Sequence, residues 1–390
     1  MSRPTVEVAD LLHTHGDRFV AENRSWLSYQ QLKVLRAIQR CRTPALGGHL
    51  DHCPGCGHSA ISFNSCRNRH CPKCQAQARQ RWLACREHEL LGLSYFHVVF
   101  TLPHELNSLC QRNPALLYNL LFRSVAETLL EVAADPQHLG AEIGFLAILH
   151  SWGQNLLLHP HIHCLVPVGG LSPDRSDWIR PKYRFFLPLG VLKKVFRGKF
   201  LEGLKRAYRR NKLSLGGATG PLKDPKAFRT LLQSLRRKNW VVYVKQAMAG
   251  PRPVLRYLGR YTHRVAISNH RLVSFDGEQV TFRWKDYARG NKQRLMTLSA
   301  SEFLRRYVQH VLPHGFVRIR QFGFLSNRHR STSIAVIRRL LASDTPSRES
   351  PPVTSCEARW QCPRCGHPMQ ISCRLTAREV YLLCERLDTS

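Results

Sequence analysis

Negative charge is scarce in this chain. In 390 residues, 26 Asp and Glu stand against 59 Lys and Arg, a formal net charge of +33. Carboxylates so sparse, with no convincing spacing among them, weigh against a site built on clustered acids and favour a polyanionic partner, DNA or RNA by default. No apolar span of ~18 residues, signal-peptide pattern or lipidation motif occurs, so no membrane partner is expected. The Gly-x-x-x-x-Gly-Lys-Ser/Thr string that cradles nucleotide phosphates is missing too, which argues against a fused helicase motor. Internal repeats and long low-complexity tracts are likewise lacking. What remains is a folded chain: 43% hydrophobic residues supply ordinary cores, and the length suits roughly two to four domains.

The 14 cysteines cluster as Cys-x-x-Cys pairs without a secretion signal, a pattern that fits zinc in a reducing compartment better than disulfides. Cys53-Pro54-Gly55-Cys56 and Cys71-Pro72-Lys73-Cys74 are two knuckles a short loop apart. Cys53, Cys56, Cys71 and Cys74 are therefore the expected ligands of one Zn2+, with Cys66, His58 and His70 as substitutes. Arg67, Arg69, Lys73, Arg79 and Arg81 surround them as a basic skirt suited to phosphate contacts. A further knuckle, Cys362-Pro363-Arg364-Cys365, has Cys356, Cys373 and Cys384 nearby and marks a candidate second Zn2+ site. Before it, Ser343 to Pro352 reads as a polar, proline-rich linker.

A β-strand through His161-Ile162-His163 points both imidazoles from one face, where they can share a divalent ion. His-x-His alone is a weak signal among 20 histidines, and His13-Thr14-His15 and His159-Pro160-His161 show it as well. The strength of the 161/163 pair lies in the apolar run that follows, ending at Gly169-Gly170, since buried imidazoles need partners or a metal. Gln154 is the expected third ligand and Gln246 its rival. About a hundred residues on, Tyr257 and Tyr261 fall four apart on a segment from Pro251 to about Arg264 that reads as a helix, with Arg256, Arg260 and Arg264 flanking them. Two phenols presented to a metal on a basic chain suggest cutting and rejoining of nucleic acid.

Elsewhere, Tyr95–Leu102 reads as a strand, Asn113–Ala133 as a helix opened by a cap and Pro114, and Ile143–Ser151 and Trp240–Lys245 as strands. Leu272–Phe275 and Val280–Trp284 form a hairpin about Asp276-Gly277, with Phe282 and Trp284 as candidate base-stacking residues. The expected fold class is α+β, an antiparallel sheet backed by helices. Its expected parts are a helical segment at 1–45, a zinc module at 46–90, a catalytic domain at 94–330 with a basic helical insertion at about 172–239, and a linker and tail at 331–390.

The strings Ser65-Cys66-Arg67-Asn68-Arg69-His70-Cys71-Pro72-Lys73-Cys74, His159-Pro160-His161-Ile162-His163-Cys164 and Arg256-Tyr257-Leu258-Gly259-Arg260-Tyr261-Thr262-His263-Arg264-Val265-Ala266-Ile267-Ser268, in that order, closely resemble the insertion-sequence-ninety-one family of rolling-circle transposases, which belong to the HUH endonucleases. The resemblance implies a ferredoxin-like or RRM-like sheet, joined to an N-terminal zinc module, that nicks single-stranded DNA. It places His161 and His163 as the HUH pair and Tyr257 and Tyr261 as the paired nucleophiles. The implied cofactors are Mg2+ or Mn2+ at the catalytic site and Zn2+ in the module. The implied partner is the single-stranded DNA of element ends, unwound by a host helicase, in the cytoplasm and nucleoid of a bacterium. A plasmid or phage replication initiator or relaxase with the same chemistry is the alternative, as is a zinc-ribbon DNA-binding regulator without catalysis.

Overall fold

In the computed structural model the described residues are 4–87, 89–181, 187–247, 259, 265–286, 290, 292–342 and 360–387. Helices α1 (Val8–Glu22) and α2 (Tyr29–Gln39) come first, followed by strands β1 (Gly48–His52) and β2 (Ser59–Phe63) and helix α3 (Pro72–Glu87). Then run β3 (Tyr95–Thr101), α4 (Asn107–Arg112), α5 (Pro114–Ala134), β4 (Gly144–Trp152), β5 (Leu158–Pro167), and the short pair β6 (Gly170–Leu171) and β7 (Trp178–Ile179). The basic stretch supplies α6 (Leu189–Arg209) and α7 (Pro225–Arg237), after which come β8 (Val242–Ala247), β9 (Leu272–Phe275), β10 (Gln279–Asp286) and β11 (Lys292–Ser299). Helix α8 (Ala300–Val308), β12 (Ile319–Gly323), α9 (Arg330–Ala342), β13 (Gln370–Leu375) and α10 (Ala377–Leu387) complete the chain.

The fold is α+β, as expected, and its centre is an antiparallel sheet in the order β12-β4-β5-β3-β8. Period-2 alternation divides each strand between two environments. Phe96, Val98, Phe100, Phe145, Ala147, Leu149, Ile162, Cys164 and Val166 enter one large core. Helix α5 covers that face with Leu117, Leu121, Val125 and Leu129, and α6 with Leu192, Phe196, Phe200 and Leu204. The basic stretch at 172–239, expected as an insertion, is thus partly core: α6 buries an apolar stripe and leaves Lys194, Lys205, Arg206 and Arg209 exposed. The opposite face carries Tyr95, Leu146, Ile148 and Leu165, against which α3 lays Trp82 and Leu83.

A second core joins α1 and α2 to Val265–Ile267, β9, β10 and α8, and takes in Trp152 and Leu156 from the β4–β5 turn. The helical N-terminal segment therefore packs with residues some 250 positions later. The hairpin turn is as expected: the Asp276 carboxylate accepts from the N–H groups of Glu278 (2.9 Å) and Gln279 (2.7 Å). Phe282 is fully buried edge-on against Phe303 and cannot stack on a base. Asn113 stands at the N-cap of α5 as expected, but its side-chain amide caps no helical N–H and instead pairs with the backbone of Ser214 at 2.7 and 3.0 Å.

The third body is a sheet in the order β13-β1-β2, which unites the two ends of the chain. Gly48 pairs with Leu375, His49 with Arg374 and Leu50 with Cys373. The expected linker at 343–352 lies outside the described residues, but 330–342 just before it is helix α9, packed through Ile334 and Ile337 on Leu91, Leu171 and Phe324. Removing residues 360–390 should expose β1 as an edge strand. In hydrogen-exchange mass spectrometry the Gly48–His52 amides should then lose protection, while β4 and β5 keep theirs; unchanged protection in β1 would show that the pairing does not persist in solution.

Candidate metal centres and the histidine face

Register decides the histidine site. His150 of β4 lies opposite His161 of β5, and Ile148 opposite His163. A bulge between His150 and Trp152 lets Trp152 stack on the His150 ring at 4.5 Å. The ligand nitrogens of His150, His161 and His163 lie within 4.8 Å of one another, which suits three imidazoles sharing one ion. Gln154, the expected third ligand, sits in the β4–β5 turn, where its carbonyl accepts from Arg271. His150 adds a third imidazole that the sequence reading did not include. The side chain of Gln246 lies outside the described residues.

Two contacts orient the pair. The Nδ1–H of His161 donates to the carbonyl of His159 at 2.6 Å, so Nε2 carries the lone pair that can ligate. His163 Nδ1 and His97 Nε2 share a hydrogen bond of 2.8 Å, the rings 8° from parallel, which assigns Nε2 of His163 as its candidate ligand atom. All these rings are held neutral. Burial pushes His161 down to about 3, with His159 and His97 adding. Burial and the neighbouring His150, His161 and His97 push His163 well below its ordinary value. Burial and Lys245, the cross-strand partner of His97, bring His97 to about 4. Neutral imidazole is the form that binds metal.

The cysteines form two tetrads, and neither is the set expected from the knuckle spacing. Cys71 and Cys74 join Cys41 and Cys66, while Cys53 and Cys56 join Cys362 and Cys365. Sγ···Sγ separations are 3.5 Å (Cys41–Cys74) and 3.6 Å (Cys66–Cys74) in the first tetrad and 3.4 Å (Cys53–Cys365) and 3.6 Å (Cys56–Cys362) in the second. A ZnS4 tetrahedron with ~2.3 Å bonds has edges of about 3.8 Å, so both tetrads fit zinc. The second is built from near-copies of one turn. The Cys53 N–H donates to His58 and Gly57 to Cys53 (2.8 and 2.9 Å), as Cys362 does to His367 and Gly366 to Cys362 (2.8 and 2.9 Å). Gly57 and Gly366 both take φ +73°, a conformation that favours glycine. In the first tetrad the sulfurs' mutual hydrogen bonds lower the Cys41 and Cys74 thiols and raise those of Cys66 and Cys71, as four thiols sharing protons at close range must.

His70, a substitute ligand on sequence grounds, is a strut. Its Nδ1–H faces Asn68 Oδ1 at 3.1 Å, its Nε2 accepts from the Leu312 N–H at 3.0 Å, and its carbonyl accepts from the Tyr307 hydroxyl. The skirt is also partly structural. Lys73 pairs with Glu7 at 2.7 Å, both side chains 11% exposed, and Arg69 donates to the carbonyls of Phe316 and Pro313. Arg67 and Arg79 are exposed, as a phosphate contact requires. Tyr257, Tyr261, Arg256, Arg260 and Arg264 lie outside the described residues. Between the tyrosines, Gly259 is buried, and a Cβ there would come within 2.9 Å of Leu83 on α3.

Metal analysis should find two zinc ions per chain, with Cys41→Ser and Cys362→Ser each leaving one and the double variant none; two ions retained in either single variant, or only one in the wild type, would refute the two-tetrad assignment. Burial also makes stability pH-dependent. His70 is held at about 3 by burial with Arg69 and Arg318 adding, and His310 at about 4 by burial. Both lie below the ordinary 6.5, so the unfolded chain binds more protons between those values. Their contribution is complete above about pH 6.5 and lost as pH falls toward 4. The thermal midpoint should track that fall, and His310→Gln should flatten it.

Residues 11–102 match the family model described as a transposase zinc-binding domain. Residues 144–332 match the model described as "Putative transposase". The chain is 54% identical over 347 residues to "Putative transposase y4qJ" of Sinorhizobium fredii, covering 89% of this chain and 87% of that one. It is 29% identical over 304 residues to the transposase for insertion sequence element IS801 of Pseudomonas savastanoi pv. phaseolicola, covering 76% and 71%. No solved structure matches. The first model spans the first cysteine tetrad together with Cys53 and Cys56, and the second spans the histidine strands and the tyrosine segment; the chain belongs to the insertion-sequence-ninety-one (IS91) family of transposases.

Proposed function

We propose that this transposase nicks and rejoins single-stranded DNA by HUH-type chemistry, with Tyr257 and Tyr261 as nucleophiles. The observation that carries the reading is the gathering of His150, His161 and His163 on one face of an antiparallel sheet. Gly259, midway between the tyrosines, abuts Leu83, which packs on that same face. A bound Mg2+ or Mn2+ would polarise the scissile phosphate and ease charge build-up on its oxygens.

The chain's residues do the rest. The oxygen of one tyrosine attacks phosphorus, the bond to the 3′ oxygen breaks, and that oxygen leaves as a 3′ hydroxyl after taking a proton. The 5′ phosphate stays on the enzyme as a phosphotyrosine. Attack by another 3′ hydroxyl reverses the step, joins the strands and restores the phenol without an external energy source. Lys245 on the histidine face supplies positive charge that favours phenolate. Two tyrosines let one hold the first cut end while the other serves a second transfer. Arg67, Arg256, Arg260 and Arg264, with the exposed bases of α6, are the phosphate contacts in this reading, and unwinding falls to a host helicase.

The test is a labelled single-stranded and duplex oligonucleotide with and without Mg2+, read as a covalent protein–DNA adduct. His161→Ala and His163→Ala should each lower adduct formation about a hundredfold or more with the thermal midpoint kept. Tyr257→Phe and Tyr261→Phe should each allow at most one adduct per chain, and the double variant none. An adduct in the double variant would place the nucleophile elsewhere; adduct formation at the wild-type rate in a histidine variant would remove the metal reading.

A further inference from the structure

Away from the histidine face, a cleft of about 760 Å³ opens between two braced walls. On one side are Trp26, the start of α2 and segment 309–314; on the other are α4 and segment 214–219. The Trp26 ring is 42% exposed but fixed, its Nε1–H donating to Asn23 at 2.9 Å and its edge set at 85° to the buried Phe19. Across the cleft, Arg112 reaches Ser214 Oγ at 3.3 Å, and Asn113 clamps the Ser214 backbone. Segment 309–314 is tied to the catalytic hairpin: His310 donates to the Leu156 carbonyl at 2.9 Å and meets Ser151 Oγ at 3.2 Å. One wall of the cleft is therefore fastened to the turn that joins the strands of His150 and His161.

The lining chemistry is selective. None of the side chains that line the cleft is acidic, and besides Arg112, His314 and the aromatic Trp26 and Tyr118 its polar members are glutamines, serines and a threonine. A run of phosphates calls for several cations, and a greasy peptide for a more apolar wall. A flat aromatic, neutral amides able to donate and accept, and one fixed guanidinium suit an unpaired nucleotide instead: base on indole, base edge on amide, phosphate on arginine. The volume falls in the range of small-ligand sites, ~300–1,000 Å³. We propose that this cleft binds an unpaired nucleotide of the DNA strand, stacked on Trp26 and read by Gln111, and so contributes base preference apart from the metal centre. The proposal rests on the reading that the substrate is single-stranded.

The experiment uses the full-length protein and a randomised single-strand pool, with retained strands sequenced, alongside anisotropy of a labelled mixed-sequence strand and the adduct assay. The wild type should enrich one base at one position. Trp26→Ala should weaken binding about tenfold and lose that enrichment; Gln111→Ala, on an exposed helix position, should lose the enrichment with less loss of affinity. Both should keep the thermal midpoint and the metal requirement of adduct formation. If the wild type forms adducts on single strands and both variants retain its affinity and base preference, the cleft proposal is overturned alone. If the wild type neither prefers single strands nor forms an adduct on them, the single-strand reading fails and takes the cleft's occupant with it.

Discussion

The register of β5 between β4 and β3 is the constraint on which the remainder depends. Because strand side chains alternate with period 2, Ile162, Cys164 and Val166 enter the core only if His161 and His163 leave it. A slip of one residue would drive both imidazoles among Phe100, Phe145 and Leu149 and push Ile162 into the ligand set. The apolar core thus aims the histidines, and the burial that stabilises one face defines the chemistry of the other. His150 enters for the same reason, as the cross-strand neighbour of His161, and the bulge beside it turns Trp152 into both a lid on its ring and a knob in the second core.

Metal-capable clusters then fasten what hydrophobic packing leaves loose. The first tetrad gathers the end of α2, the loop before α3 and the first turn of α3, so it fixes the helix that roofs the sheet beside the histidines. The second ties residues 53 and 56 to 362 and 365, aided by the β1–β13 pairing. Small sheets bury too little apolar surface to be stable alone, and four thiolates on zinc supply the missing free energy.

What was legible in the sequence was local. The β5 strand, the α5 helix and the Asp276-Gly277 hairpin each announce themselves within about twenty residues, through alternation, periodicity or turn chemistry. The tetrads did not. Two Cys-x-x-Cys pairs near one another look like one site, and nothing in their spacing reveals that each closes with sulfurs from Cys41 and Cys66, or from Cys362 and Cys365. The one available signal was the repeated Cys-Pro-x-Cys-Gly-His string at 53–58 and 362–367, since near-identical half-sites can pair. His97 and His150 were hidden differently: each is a lone histidine in an apolar strand, and only register makes them neighbours of the pair. Lys73 and Arg69 were read as phosphate contacts because charge is visible in sequence while its partners, Glu7 and the carbonyls at 313 and 316, are far along the chain.

Gly259 links the two halves of the catalytic reading. Substituting any side chain there would press a Cβ into Leu83, and Leu83 shares a cluster with Ile148, the residue directly across from His163. Gly259 thus lies close over Leu83 of α3, and α3 is itself anchored by the first tetrad through Cys71 and Cys74. Loss of a zinc there would loosen the start of α3, and with it the helix that Gly259 lies against. Thiolate chemistry at residues 41 to 74 therefore bears on the helix against which Gly259 rests and, through Leu83, on the face that carries the three imidazoles of β4 and β5.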